Sequence, residues 1–193
     1  MPHRIIDIRP LTPAGRPDFL SFFEGEAFAD NPKWGSCFCQ YLYVDHQAEH
    51  WPGRTGEQNR AAACTRIDAG TMPGWLAWRD GRPVGWCSAG PRPLMTALAT
   101  EPCPGAEPAE VGQIGCFVVA PAHRRTGVAR ALLQAAVAGF RDQGLRFADA
   151  MPFADARTEA AMHHGPLALF LAEGFTPLRQ DGGRVWVRRA LQG

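Results

Sequence analysis

Apolar residues along the chain follow two periods, and each change of period predicts a change of element. Residues 4–9 carry Ile5, Ile6 and Ile8 ahead of Pro10 and read as a short first strand. Thr12-Pro13 opens a helix running to about residue 24, with Phe19, Leu20, Phe22 and Phe23 on its apolar side. Asp30-Asn31-Pro32 breaks that helix, and residues 34–43 follow without a regular period. A second helix starts at Thr55, with Glu57 and Gln58 in its first turn, and runs to Ile67 before Ala69-Gly70. Residues 74–78 and 83–89 flank Asp80-Gly81, a strong hairpin signal. Residues 91–110 contain five prolines and read as a loop within one domain.

A fourth strand covers residues 110–120, ending in the unbroken apolar run 114–120, and Pro121 stops it because proline cannot donate to a sheet ladder. Val128, Leu132, Ala135, Ala136 and Phe140 then fall on one face of a helix that ends at Gln143-Gly144. Residues 145–150 form a fifth strand, and residues 151–164 show a loose pattern. Gly165-Pro166 starts a helix over 167–173, which Gly174 ends. Residues 175–179 and 184–189 pair as a closing hairpin across 180–183. There is no repeat and no low-complexity segment.

Composition narrows the class. The 193 residues are 46% hydrophobic and 20% charged, which suits one globular domain over residues 1–193 with a sizeable core. A formal net charge of +1 gives no general attraction to nucleic acid or to an anionic membrane. No apolar run approaches 18 residues, and the opening residues, with Asp7, do not read as a secretory leader. Six cysteines in such a chain are expected reduced, in the cytoplasm.

The junction between the fourth strand and its following helix carries the chemistry. Strand, basic turn and helix place Gly127 at the mouth of a helix whose first N–H groups lack intrahelical partners and carry partial positive charge. Glycine lets a ligand approach that backbone, and Arg124, Arg125 and Arg130 add charge, so the turn is a seat for a phosphate. The ligand is not a Walker-type nucleotide, because the only lysine is Lys33, and no G-x-G-x-x-G is present. Arg124-Arg125-Thr126-Gly127-Val128-Ala129, preceded by Val119-Ala120-Pro121, resembles the [QR]-x-x-G-x-[GA] cofactor motif of the GNAT superfamily of acyl-CoA N-acyltransferases. The order of elements is similar to that family's, as is Leu169 to Phe175, whose end matches its G-F helix terminus.

The resemblance implies an α+β fold: a central mixed, mostly antiparallel sheet flanked by helices and splayed between the fourth and fifth strands. It implies acetyl-CoA as cosubstrate, with its pyrophosphate on Arg125, Thr126, Gly127, Val128, Ala129 and Arg130 beside Arg124. Its pantetheine arm would pair with Val118 and Val119, and a backbone N–H near 117–119 would polarise the thioester carbonyl. Transfer would be direct, to a primary amine of a small molecule, with a homodimer as the assembly and neither nucleic acid nor membrane as partner. The alternatives are a non-catalytic acyl-CoA sensor and transfer of a longer acyl group.

The proton-transfer groups depart from the family pattern. Gln113 stands where relatives carry a glutamate and Phe170 where they carry a tyrosine, and neither side chain exchanges a proton. Glu110 and Asp149 are the nearest carboxylates for a base, and His163 and His164 suit either proton role. Trp34, Cys37, Cys39 and Tyr41 are expected to wall the acceptor site, the two cysteines pointing the same way if locally extended. Cys37, Cys39, His46 and His50 invite a zinc reading, but C-x-C is too tight for structural zinc, and no metal is expected.

Overall fold

Strand β4 (Val111–Val119) is the axis of the molecule, seen here in a computed structural model that describes residues 5–155 and 162–191. Around it stand β1 (Asp7–Pro10), β2 (Gly74–Arg79), β3 (Arg82–Pro91), β5 (Phe147–Ala150), β6 (Thr176–Asp181) and β7 (Arg184–Ala190). The sheet order is β1-β2-β3-β4-β5-β7-β6, and only the β4–β5 pair is parallel. This is the mixed, mostly antiparallel sheet that the resemblance implies.

Alternation along the strands gives the sheet two apolar faces. Leu76, Trp86, Val118 and Trp186 face one core, packed under α1 (Arg16–Glu24) and α2 (Gly56–Asp68). Their neighbours Ala77, Cys87, Phe117 and Val187 face the other, under α3 (Val128–Asp142) and α4 (Leu167–Ala172). Local signals explain the ends. Thr55 Oγ1 accepts from the Gln58 N–H and Gln58 Oε1 from the Thr55 N–H, a reciprocal cap on α2. Asp80 (φ 52°) and Gly81 (φ 76°) turn the β2–β3 hairpin left-handed, as the strand twist requires.

Residues 91–110 are more structured than a proline-rich loop. They form three short 3-10 turns around Arg92, which is buried and donates to Gln113 Oε1 (3.0 Å) and to the Glu101 carbonyl (3.0 Å). Asp149 and Arg188 make a buried bidentate ion pair (2.7 and 2.8 Å) linking β5 to β7. No helix among the described residues is long and apolar enough to cross a membrane.

The feature that positions the site lies in the middle of β4. Pairing with β5 runs only from Val111↔Phe147 to Ile114↔Ala150, after which β4 continues to Val119 paired with β3 alone. The parting coincides with a β-bulge: Ser88 faces Cys116 and Ala89 faces Ile114, so Gly115 is an extra residue on β4. A Cβ on Gly115 would lie 2.2 Å from Leu42 Cδ1, so glycine is what lets the 41–43 turn approach the strand here.

Candidate active site

Beyond β4 the chain makes a 3-10 turn (Pro121–His123), takes positive φ at Arg125 (60°) and Gly127 (90°), and enters α3. No side chain caps α3 and no acidic residue sits in its first turn, so the first N–H groups of a 15-residue helix face outward. Space around Gly127 is open where a Cβ would stand. An anionic phosphate fits such a cradle. Thr126 Oγ1 donates to the His123 carbonyl (2.7 Å) and accepts from Arg79 Nη1 (3.2 Å), which fastens the turn to β2.

The arginines are less mobile than the sequence suggests. Arg124 holds Asp30 through both nitrogens (2.5 and 3.2 Å), donates from Nε to the Val119 carbonyl (3.2 Å), and keeps the Asp30 carboxyl below the usual carboxylate range. Arg130 pairs with Glu173 (3.1 Å). Arg125 stays exposed with no carboxylate partner among the described residues.

Alternation on β4 also corrects the expected backbone contacts. Val118 is paired with Trp86 in the hydrogen-bonded ladder to β3, as Ala120, two residues on, is with Val84 (3.0 Å), so its N–H is committed there. Phe117 and Val119 face the opening instead. The Phe117 N–H donates to the His163 carbonyl (2.7 Å), which leaves Val119 as the residue whose N–H points into the gap.

Beside that opening lies a cavity of about 440 Å³. Trp34, Cys37, Cys39 and Tyr41 wall it from the irregular segment, His163 and His164 from the segment before α4, and Gly115, Cys116 and Val118 from β4. The structure therefore brings the expected acceptor wall and both histidines together. His163 is fixed by contact: its ring meets Trp34 edge-on at 4.9 Å, and Nδ1 lies 3.1 Å from the Phe117 carbonyl. A carbonyl only accepts, so Nδ1 donates to it, and Nε2, the other ring nitrogen, is buried. Burial, then the charge of Arg184 and of His163, pulls His164 down to about 4, so its imidazole is neutral at pH 7.

The two cysteines do not sit on an extended chain. Pro32–Cys37 is a 3-10 turn, and Phe38 (φ 42°) and Cys39 (φ 57°) are both left-handed, a conformation that costs a non-glycine residue of order 1 kcal/mol or more. The neighbouring Cys116 thiol, outweighing burial, draws the Cys39 thiol below its ordinary value, whereas burial pushes Cys37 up to about 11.

Neither carboxylate proposed as base reaches the cavity. Glu110 sits at the far end of β4, bonded to Arg146 (2.6 Å), which holds its carboxyl below the usual range. Six residue steps along the strand, roughly 20 Å, separate it from Cys116. Asp149 is committed to Arg188. Gln113 is buried and serves Arg92, and Phe170 packs between Phe117 (6.1 Å) and Phe175 (5.3 Å). No carboxylate among the described residues lines the cavity. His46 is taken by Tyr41, 4.3 Å between rings with Nε2 2.9 Å from its carbonyl, and no group of three metal-ligating side chains converges among the described residues. Arg184, at the start of β7, also lines the cavity. Sequence reasoning missed it, since after Gly182-Gly183 it looks like any charged turn end.

A sheet that parts between β4 and β5, with a glycine-turn helix N-terminus at the end of the gap, defines the architecture of the GNAT acetyltransferases. The sequence profile of the acetyltransferase (GNAT) family matches residues 37–163, and the chain belongs to that family. Solved structures of the same fold include the GNAT domain of S. lividans PAT, at 22% identity and TM-score 0.59 over 95% of this chain and 89% of that one. Salmonella typhimurium yncA, solved with acetyl-CoA, is 17% identical with TM-score 0.56 over 97% and 94% of the two chains. The PaiA N-acetyltransferase of Thermoplasma acidophilum, in complex with coenzyme A, is 12% identical with TM-score 0.57 over 96% and 99%. At these identities the likeness is one of fold. A search of curated protein sequences finds no match.

Proposed function

We infer that the protein moves an acetyl group from acetyl-CoA directly to the primary amine of a small molecule. The observation that carries this reading is that one stretch of β4, residues 115–119, borders both the uncapped α3 turn and the aromatic cavity. Acetyl-CoA and coenzyme A in two fold neighbours support the choice of cosubstrate. Bound there, acetyl-CoA supplies an activated thioester. Residues 125–130 would hold the pyrophosphate, and Val119, with its N–H in the gap, would pair with the pantetheine arm or polarise the carbonyl.

The acceptor is an ammonium ion at pH 7 and must lose a proton before nitrogen attacks. With no carboxylate among the described residues of the wall, His163 and His164 are the imidazoles that would receive it, His164 being held neutral chiefly by its burial. The new C–N bond forms as the C–S bond breaks, and a proton returns to the leaving thiolate from the imidazole or from water. Thiol release measured with amino acids, polyamines, aminoglycosides and simple amines tests the reading, alongside calorimetric binding of acetyl-CoA. His163→Ala or His164→Ala should lower turnover on the order of 10²–10⁴-fold with binding retained. Binding without release for any amine supports the sensor alternative, and faster release from longer acyl-CoA supports a longer acyl group.

A further inference from the structure

We propose that the acceptor amine carries a carboxylate on an apolar body, the class of the aromatic amino acids, and that Arg184 anchors that carboxylate. The inference rests on the acetyltransferase reading and names its substrate class. The cavity wall is rich in rings, Phe28, Trp34, Tyr41 and Trp51 among them, which suits an apolar body and attracts an ammonium group to the ring faces. Its formal charges are all positive: Lys33, Arg54 and Arg184 line it, and no described carboxylate does. A polycation would meet no carboxylate among the described residues of that wall.

The three cations are not equivalent. Arg54 is already bonded to Glu49 and to Asn59 Oδ1 (2.8 Å), and Lys33 stands exposed at the rim. Arg184 is partly buried, lies over the Phe153 ring at 4.9 Å, and has no carboxylate partner among the described residues. A guanidinium seated over a ring still presents a planar fork of donors that matches a carboxylate. Its place fits the role. A second cavity, about 460 Å³, shares Tyr41, Leu42 and Arg184 with the first, so Arg184 stands where the two meet. Asp45 and Glu101 lie on the far cavity; Asp45 accepts from the Gln47 N–H (2.9 Å) and Glu101 lies 3.8 Å from Arg179. A zwitterion can then place its carboxylate at Arg184 and its amine among the rings near β4.

The test compares phenylalanine with phenethylamine, which differ only in the carboxylate, and both with putrescine, using the full-length protein and acetyl-CoA. Phenylalanine should exceed phenethylamine in kcat/KM by about 10- to 100-fold, the scale of a hydrogen-bonded charge. Arg184→Gln should collapse that ratio and Arg184→Lys should leave part of it, with acetyl-CoA affinity intact as the check on folding. Equal or better use of phenethylamine overturns the proposal, as does an Arg184→Gln enzyme that keeps the preference. Preference for putrescine overturns it in favour of recognition by Asp45 and Glu101. Should no amine be acetylated, the transferase reading fails, and calorimetry of phenylalanine against phenethylamine still decides the anchor. Tighter, Arg184-dependent binding of phenylalanine supports it, and its absence refutes it.

Discussion

Gly127→Glu separates binding from folding through the opposite signs of one charge. At φ 90° any side chain is strained, by about 1–2 kcal/mol, but the space around Gly127 is open, so no packing is lost. A carboxylate at the start of the uncapped α3 helix also stabilises it, by roughly 0.3–1 kcal/mol, which offsets part of that strain. Toward a bound pyrophosphate the same carboxylate is repulsive. At about 4 Å each phosphate charge costs between about 1 kcal/mol in a watery setting and about 4 kcal/mol near a protein surface. Two phosphates together, at about 2 kcal/mol or more, should weaken coenzyme A by about 30-fold or more, since each 1.4 kcal/mol is tenfold.

Gly127→Ala is the internal control, since it carries the same backbone strain and no charge. The assay is calorimetric titration with coenzyme A at low and at high salt, beside thermal unfolding of each variant. The glutamate variant should melt close to the alanine variant and bind far more weakly, the gap narrowing as salt screens the charge. If the glutamate variant binds coenzyme A within about threefold of the alanine variant, the phosphate does not sit on this turn.

Three further outcomes follow from the geometry. Glu110→Gln should keep kcat and its pH profile close to wild type, because the carboxylate is tied to Arg146 at the far end of β4; a large loss in a thiol-release assay would contradict this. Arg188→Met should destabilise by about 3–5 kcal/mol in urea unfolding, because Asp149, 3% exposed, is left charged and unpaired, and adding Asp149→Leu should restore most of it. His164 titrates at about 4 in the fold against 6.5 when unfolded, so between those values the unfolded chain binds a proton that the folded one does not. Stability should therefore be intact above pH 6.5 and fall as pH drops toward 4, by at most about 1.4 kcal/mol per pH unit, with a shallower slope in His164→Gln.

Much of the frame is legible in the sequence because local chemistry dictates it. Asp80-Gly81 accepts the left-handed turn that joins twisted strands, Thr55 and Gln58 cap α2 by themselves, and Val128 to Phe140 can bury their stripe only as a helix. The acceptor wall is legible as composition but not as shape. Nothing in Cys37-Phe38-Cys39 announces two left-handed residues without a glycine, since tertiary packing imposes them. The proposed base is illegible for a related reason. Glu110 is near the motif along the chain, but a strand carries it away at about 3.3 Å per residue, whereas His163 comes to the Phe117 carbonyl across 46 residues of sequence. Arg92 reads as one more loop arginine, though it is the buried post around which residues 92–113 fold.

A single extra residue connects the two halves of the site. In an unbroken strand Ile114, Cys116 and Val118 would share a face, since side chains alternate with period two. Here Ile114 packs in the core under α3, whereas Cys116 and Val118 lie on the opposite side, toward the cavity. The bulge at Gly115 makes that switch, and it does so at the residue after the last β4–β5 pair. The same step presents cavity-facing side chains on one side of the sheet and turns the backbone of Phe117 and Val119 toward the opening at its edge. Because Gly115 also lets Leu42 seat against the strand, the segment that walls the cavity is docked on the residue that opens the sheet. The fold thus joins the place where acetyl-CoA would lie to the place where an acceptor would meet it, with no carboxylate among the described residues lining that junction.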